Sequence, residues 1–303
     1  MQRASFNRRF GITLAGVAVM FAAGSADAAL VTYDAFTNTY INPNKWYGEE
    51  GKQYGGTRTE TRRAIVEGQL RIEAKGYSDD TSNTGTSTTR NAVVFATSPN
   101  ITGIRSSVTM RTAIAGACAA NTTPTLTRAR IFGFFFNAGT PVPGSNYNDV
   151  FAGIQLYRAS NSTDGAGVLR VSAFVGICTD DSCIGSTLLA SQDMGTSSVN
   201  TATDLQVTWD ATNNRFTFQR DAQAVVNLAY TVADSQPASF PVKRLEISNQ
   251  IAHCTASRPT GNGGADFDNV KTESPAALAV TPMTLRRDRE AAATFDPIVG
   301  RAN

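Results

Sequence analysis

The segment Gly261–Glu273, GNGGADFDNVKTE, sets two carboxylates, Asp266 and Asp268, on either side of an aromatic, Phe267. Alternate residues of an extended chain share a face, so the two acids project to one side and Phe267 to the other. Such a pair either holds a cation or stands solvated beside a turn, and the residues alone leave both readings open. Other residue types that carry catalysis are sparse. The run RLEISNQIAH offers Glu246, with Ser248 and Gln250 following on its parity, and neither can serve as a partner carboxylate. His253 is the only histidine and adjoins Cys254, which points to a structural role and away from a serine triad. There is no Gly-x-Ser-x-Gly elbow, no His-Glu-x-x-His and no phosphate loop. The sequence therefore assigns no catalytic residue.

Residues suited to binding are easier to find. The connection GTPVPGSNYNDV carries Asn146, Tyr147, Asn148 and Asp149, amide and carboxylate groups for hydrogen bonds to a ligand and an aromatic face for its apolar side. Four cysteines, Cys118, Cys178, Cys183 and Cys254, allow three connectivities if oxidised. Cys178 and Cys183 bracket TDDS between two apolar runs, so a bridge across a hairpin is expected there, leaving Cys118 for Cys254. A zinc site would need two close cysteine pairs or histidines.

The elements that must position these residues read as strands. Apolar residues recur with period two in VLRVSAFVGIC, VFAGIQLY and AIVEGQLRIEA, where Val66, Gly68, Leu70 and Ile72 fall on one parity. Further strands are expected at 101–114, 128–136, 205–209, 215–220 and 244–253, separated by turn-forming stretches such as PVPGSN and DATNN. No amphipathic helix interrupts them. The pattern predicts one all-β domain over residues 29–273, a two-sheet antiparallel sandwich. Ser78–Arg90, SDDTSNTGTSTTR, is polar and nearly free of apolar residues, so a mobile loop is expected there. Residues 274–303 lose the alternation and are expected outside the core.

The N-terminus has basic Arg3, Arg8 and Arg9, an apolar run over residues 11–23 and Ala26-Asp27-Ala28. This is the pattern of a signal peptide over residues 1–28, which places the mature chain in an extracytoplasmic, disulfide-permitting compartment. Its removal leaves basic and acidic residues equal in number, with no electrostatic footprint for nucleic acid. No later stretch is long and apolar enough for a membrane span.

YDAFTNTYINPNKW, with Asp34, Phe36, Pro43 and Trp46, together with VEGQLRI, LQVTWDATNNRFTFQRDAQAV and ADFDNVKTE, resembles the concanavalin A-like lectin and glucanase jelly rolls, the laminin-G-like group included. The resemblance spans Tyr33–Glu273. It implies a jelly-roll sandwich, and a structural calcium where first and last strands meet, held by the Gly68 carbonyl and Asp268 with Asp34 as a further contributor. The family's hydrolases carry Glu-x-Asp-x-x-Glu on one strand, which this chain lacks. The resemblance thus implies a secreted, non-catalytic recognition module, carbohydrate-binding or adhesive, with a polysaccharide or surface glycan as partner. Its alternatives are a structural envelope or matrix protein without a small ligand, or a polysaccharide-active glycoside hydrolase with a non-standard site.

Overall fold

Along Gln69–Tyr77 buried and half-buried residues alternate without a break, which is how a period-two sequence becomes a two-faced strand. The computed structural model describes residues 29–52, 59–78 and 81–274. The expected signal peptide and the tail beyond Ser274 lie outside the described residues. In chain order the strands are β1 (Val31–Asp34), β2 (Trp46–Lys52), β3 (Thr59–Val66), β4 (Gln69–Tyr77), β5 (Thr86–Phe95) and β6 (Gly103–Ala115). There follow β7 (Leu126–Asn137), β8 (Asp149–Ala159), β9 (Val168–Cys178), β10 (Ser186–Ser198) and β11 (Ala202–Asp210). The last are β12 (Arg215–Arg220), β13 (Val226–Ala229), β14 (Gln236–Pro237), β15 (Lys243–Ala252) and β16 (Thr260–Glu273).

Two antiparallel sheets form. The front sheet runs β10-β9-β8-β7-β15-β5-β2, and the back sheet runs β13-β12-β11-β6-β16-β4-β3 with β1 beside β16. Their inner faces bury Phe95, Phe136, Phe216, Phe218 and Phe267, together with Leu70, Ile131 and Ile247, the interdigitating core of a sandwich. Both disulfides form as the spacing predicted, Cys178–Cys183 and Cys118–Cys254.

Two expectations need correction. The stretch VEGQLRI is not one strand. Glu67 and Gly68 both have positive φ, 53° and 75°, and Val66 pairs with Gln69, so a tight hairpin turn of the type that glycine permits joins β3 to β4. The stretch Ser78–Arg90 is not a loop throughout, because Thr86–Arg90 opens β5 and pairs with β15. Its inward residues Ser87, Thr89 and Asn91 are fully buried but polar, so the strand shows no apolar alternation. Hydrogen bonds replace hydrophobic burial there. The Asn91 amide donates to the carbonyls of Arg62 and Glu73, at 2.9 and 2.8 Å, and Ser87 bonds the His253 ring at 2.9 Å.

Candidate functional site

The outer face of the front sheet forms a groove of about 1080 Å³. Its floor follows from strand register. One row runs Arg90, Ser248, Arg128, Tyr157 and Arg170 across β5, β15, β7, β8 and β9. The adjacent row runs Ala92, Glu246, Arg130, Gln155, Ser172 and, on β10, Asp193. The third runs Val94, Arg244, Phe132, Gly153, Phe174 and Ser191. One end is therefore cationic and polar, and the other is aromatic.

The aromatic end is an apolar cluster of Phe132, Phe134, Val94 and Val242, with Phe151, Phe174 and Phe240 partly buried against it. Glycines let these rings lie across the sheet. A Cβ on Gly176 would come within 2.4 Å of Phe151 Cζ, and one on Gly153 within 2.7 Å of Phe174 Cζ. The end wall joins two loops. Asp180 accepts from the backbone amides of Ser182 at 2.9 Å and Ile184 at 3.1 Å, fixing the turn enclosed by the Cys178–Cys183 bridge. The neighbouring loop is tied on by Ser145 Oγ donating to Asp181 at 2.5 Å and by Asn146 N donating to the Asp181 carbonyl at 2.8 Å.

At the polar end Glu246 is wholly buried, while the side chains of Arg130 and Arg244 are 13% and 4% exposed. Arg130 Nε donates to one Glu246 oxygen, and Arg244 stands in ion-pair contact with the other. Both guanidinium groups also lie over the Phe132 ring, 4.6 and 4.7 Å from its centroid, a cation–π arrangement. Burial alone would raise the Glu246 carboxyl, but Arg130, Arg244 and Arg90 bring it down to about 2. Burial, with Arg128 and Arg244 beside it, lowers Arg130 to about 10 against the pull of Glu246.

Among the described side chains this arrangement lacks the second carboxylate of a glycosidase. Asp193, which lines the groove, stands four strands from the buried Glu246, or about 19 Å at ordinary strand spacing. Retaining and inverting mechanisms need separations of about 5–5.5 and 6.5–9.5 Å. A carboxyl held ionised between arginines is also a poor general acid.

Of the sequence-predicted ligand residues, only Asn146 lines the groove. Tyr147 is half exposed on the loop. Asn148 takes positive φ, 62°, beside Gly139. Asp149 is fully buried, accepting from Asn137 Nδ2 at 2.8 Å and from the amides of Ser239 and Phe240 at 2.7 and 2.9 Å. Its carboxylate thus anchors the segment leading into β15 and does not face a ligand.

The expected calcium ligands do gather at one end of the back sheet, where Leu70, just after the Gly68 turn, pairs with Phe267, and Asp34 with Val270. Asp34, however, accepts from Trp46 Nε1 at 2.8 Å and Phe36 N at 3.0 Å, and Asp268 accepts from Asn269 N at 2.7 Å and Asn269 Nδ2 at 3.2 Å. With both carboxylates engaged, the set does not fit an ion that wants six to eight oxygens. Among the described residues no three His, Cys, Asp or Glu side chains gather where a metal ion could be held. Asp266 does face away from the core, but it is 1% exposed and not solvated. Arg71 and Arg111 cover it with hydrogen bonds of 2.7–3.0 Å.

His253 is structural, its Nδ1 3.0 Å from the Thr84 carbonyl and its Nε2 2.9 Å from Ser87 Oγ. Ser87 is fully buried and unavailable as a nucleophile. Sequence reasoning missed Arg90, Arg128, Arg130, Arg244 and the outward phenylalanines. A signal was present: in RARIFGF the even positions Arg128, Arg130, Phe132 and Phe134 make one continuous face that includes no ordinary solvent-facing pattern.

No family model and no curated protein matches the chain. Among the described residues no helix is long and apolar enough to cross a membrane. Similar solved structures include the catalytic domain of an endo-1,3-beta-glucanase (laminarinase) from Thermotoga petrophila RKU-1, with TM-score 0.44 and 13% identity over 82% of this chain and 99% of that one. A laminarinase from Flavobacterium sp. UMI-01 gives 0.42 and 13% over 81% and 100%. A Bacillus licheniformis beta-glucanase gives 0.41 and 10% over 83% and 100%. That this chain builds two antiparallel sheets rests on its own strand pairing.

Proposed function

We propose that this protein docks a polysaccharide chain in the front-sheet groove, as an extracytoplasmic carbohydrate-binding or adhesive module. The observation that carries this reading is the pairing of half-buried Phe151 and Phe174 with Tyr157, Gln155 and Ser172 along one open floor. Aromatic faces take the apolar side of a sugar ring, and the polar row takes its hydroxyls. Two disulfides suit an oxidising compartment. The test is binding of the folded protein to a panel of neutral and acidic polysaccharides. Retention by at least one is expected; failure with every member would leave a structural envelope protein as the better account.

A second reading, a polysaccharide-active enzyme, draws on the buried Glu246 held between Arg130 and Arg244 at the floor of the groove. Its chemistry would have to differ from two-carboxylate hydrolysis. Incubation with the same panel, followed by measurement of new chain ends, separates it from simple docking.

A further inference from the structure

Given the groove as docking surface, its floor carries a charge that the rest of the chain does not. The whole chain has a formal charge of only +2, yet Arg90, Arg128, Arg130 and Arg244 line one groove together with Asp193, above the fully buried Glu246. Glu246 is already shared by two guanidinium groups, and Asp193 lies within 3.4 Å of Arg170. Among the described residues Arg128 makes no direct ion pair, Glu246 attracting it only at longer range, and its buried Nε lacks a hydrogen-bond partner. Like charges gathered in a partly enclosed, low-dielectric space repel one another, and a bound anion relieves that repulsion while forming charge-assisted, often bidentate, hydrogen bonds.

The spacing suits a polymer better than a single anion. Arg128 and Arg130 project from alternate positions of β7, about 7 Å apart at strand rise. Arg90 lies in register with Arg128 across β15 through Ser248, about 10 Å away. Beside this lattice lie the phenylalanine rings, which would carry sugar faces and offer nothing to a bare polyanion. We propose that the groove recognises an acidic polysaccharide, one bearing carboxylate or sulfate groups along its chain, with Arg128 and Arg90 as anion contacts.

The experiment is calorimetric titration of the full chain with polygalacturonate, chondroitin sulfate, laminarin, dextran and polyglutamate, at low and raised salt. Binding is expected for polygalacturonate or chondroitin sulfate, weakening as salt rises, and which of the two binds tells carboxylate from sulfate recognition. Arg128→Gln and, as an independent variant, Arg90→Gln should each weaken binding by about tenfold or more, while Arg128→Lys keeps most of it. Laminarin or dextran binding as tightly would overturn the acidic class and leave the docking groove standing; no binding by any of the four glycans would overturn both. Polyglutamate binding as tightly would overturn the requirement for sugar. Full affinity in folded Arg128→Gln and Arg90→Gln, judged by unchanged melting, would also overturn the proposal.

Discussion

Two carboxylates in this molecule are buried between arginines, one on the outer face of each sheet. On the back sheet Asp266 takes hydrogen bonds from Arg71 and Arg111, whose side chains remain 24% and 40% exposed. On the front sheet Glu246 lies between Arg130 and Arg244, 13% and 4% exposed, with Arg90 and Arg128 close by. The back-sheet arginines reach water and form a lid over one acid. Those of the front sheet lie over the Phe132 ring and are largely withdrawn from water. The same local chemistry makes a covered surface in one place and the floor of a groove in the other, and what separates them is access to water.

The comparison is broken most readily by removing the acids. Glu246→Gln strands desolvated guanidinium groups and should destabilise the fold by about 3–5 kcal/mol. In Asp266→Asn the freed arginines turn to solvent, and the loss should be about 1–2 kcal/mol. Urea denaturation of the two variants measures both, and equal losses would show that the two sites are energetically alike.

Next in size is a pair of glycines. Gly176→Ala pushes a Cβ into the Phe151 ring and should cost about 1–3 kcal/mol through overpacking. At Gly264, on the back sheet, a Cβ meets only Glu73 and Thr112 side chains at 3.4 Å and beyond, so Gly264→Ala should stay within about 0.5 kcal/mol of the parent. Thermal melts of the two variants test whether only the front face is packed that tightly.

Acid sharpens the contrast further. Glu246 is ordinarily near 4.5 and is held at about 2 in the fold. Asp266, which burial alone would raise, is also held low by Arg71 and Arg111. Depressed carboxyl groups contribute stability that is whole above their unfolded values and is lost as pH falls toward their folded ones. Stability should therefore decline from about pH 4.5 toward pH 2, with a shallower decline in Glu246→Gln than in Asp266→Asn. The smallest effect concerns the closing strand. Millimolar calcium should leave the melting temperature unchanged, because Asp34 and Asp268 are already engaged; a clear rise, abolished in Asp268→Asn, would show that those bonds yield to the ion.

Much of the fold was legible because most strands obey one rule. β9 alternates Leu169, Val171, Ala173 and Val175 inward, and no residue elsewhere is needed to see it. β5 escaped that reading because its inward residues are the polar Ser87, Thr89 and Asn91, of which Ser87 and Asn91 find partners far along the chain, the His253 ring and the carbonyls of Arg62 and Glu73. The site was less legible for the same reason. Glu246, Ser248 and Gln250 were seen as one face of one strand, and without a second acid that face looked idle. Its meaning came from β7 and β5, which lay Arg128, Arg130 and Arg90 beside it.

By itself, then, the sequence determined most of the elements, the sandwich class and the Cys178–Cys183 bridge, since alternation and short spacings are local properties of a chain; Cys118–Cys254, 136 positions apart, followed only by elimination. Only the tertiary structure decided which polar faces meet. Antiparallel pairing brings together residues more than a hundred positions apart, such as Arg130 and Glu246, and whether a carboxylate there becomes a lid, a brace or the floor of a groove depends on the water and charge left around it after packing.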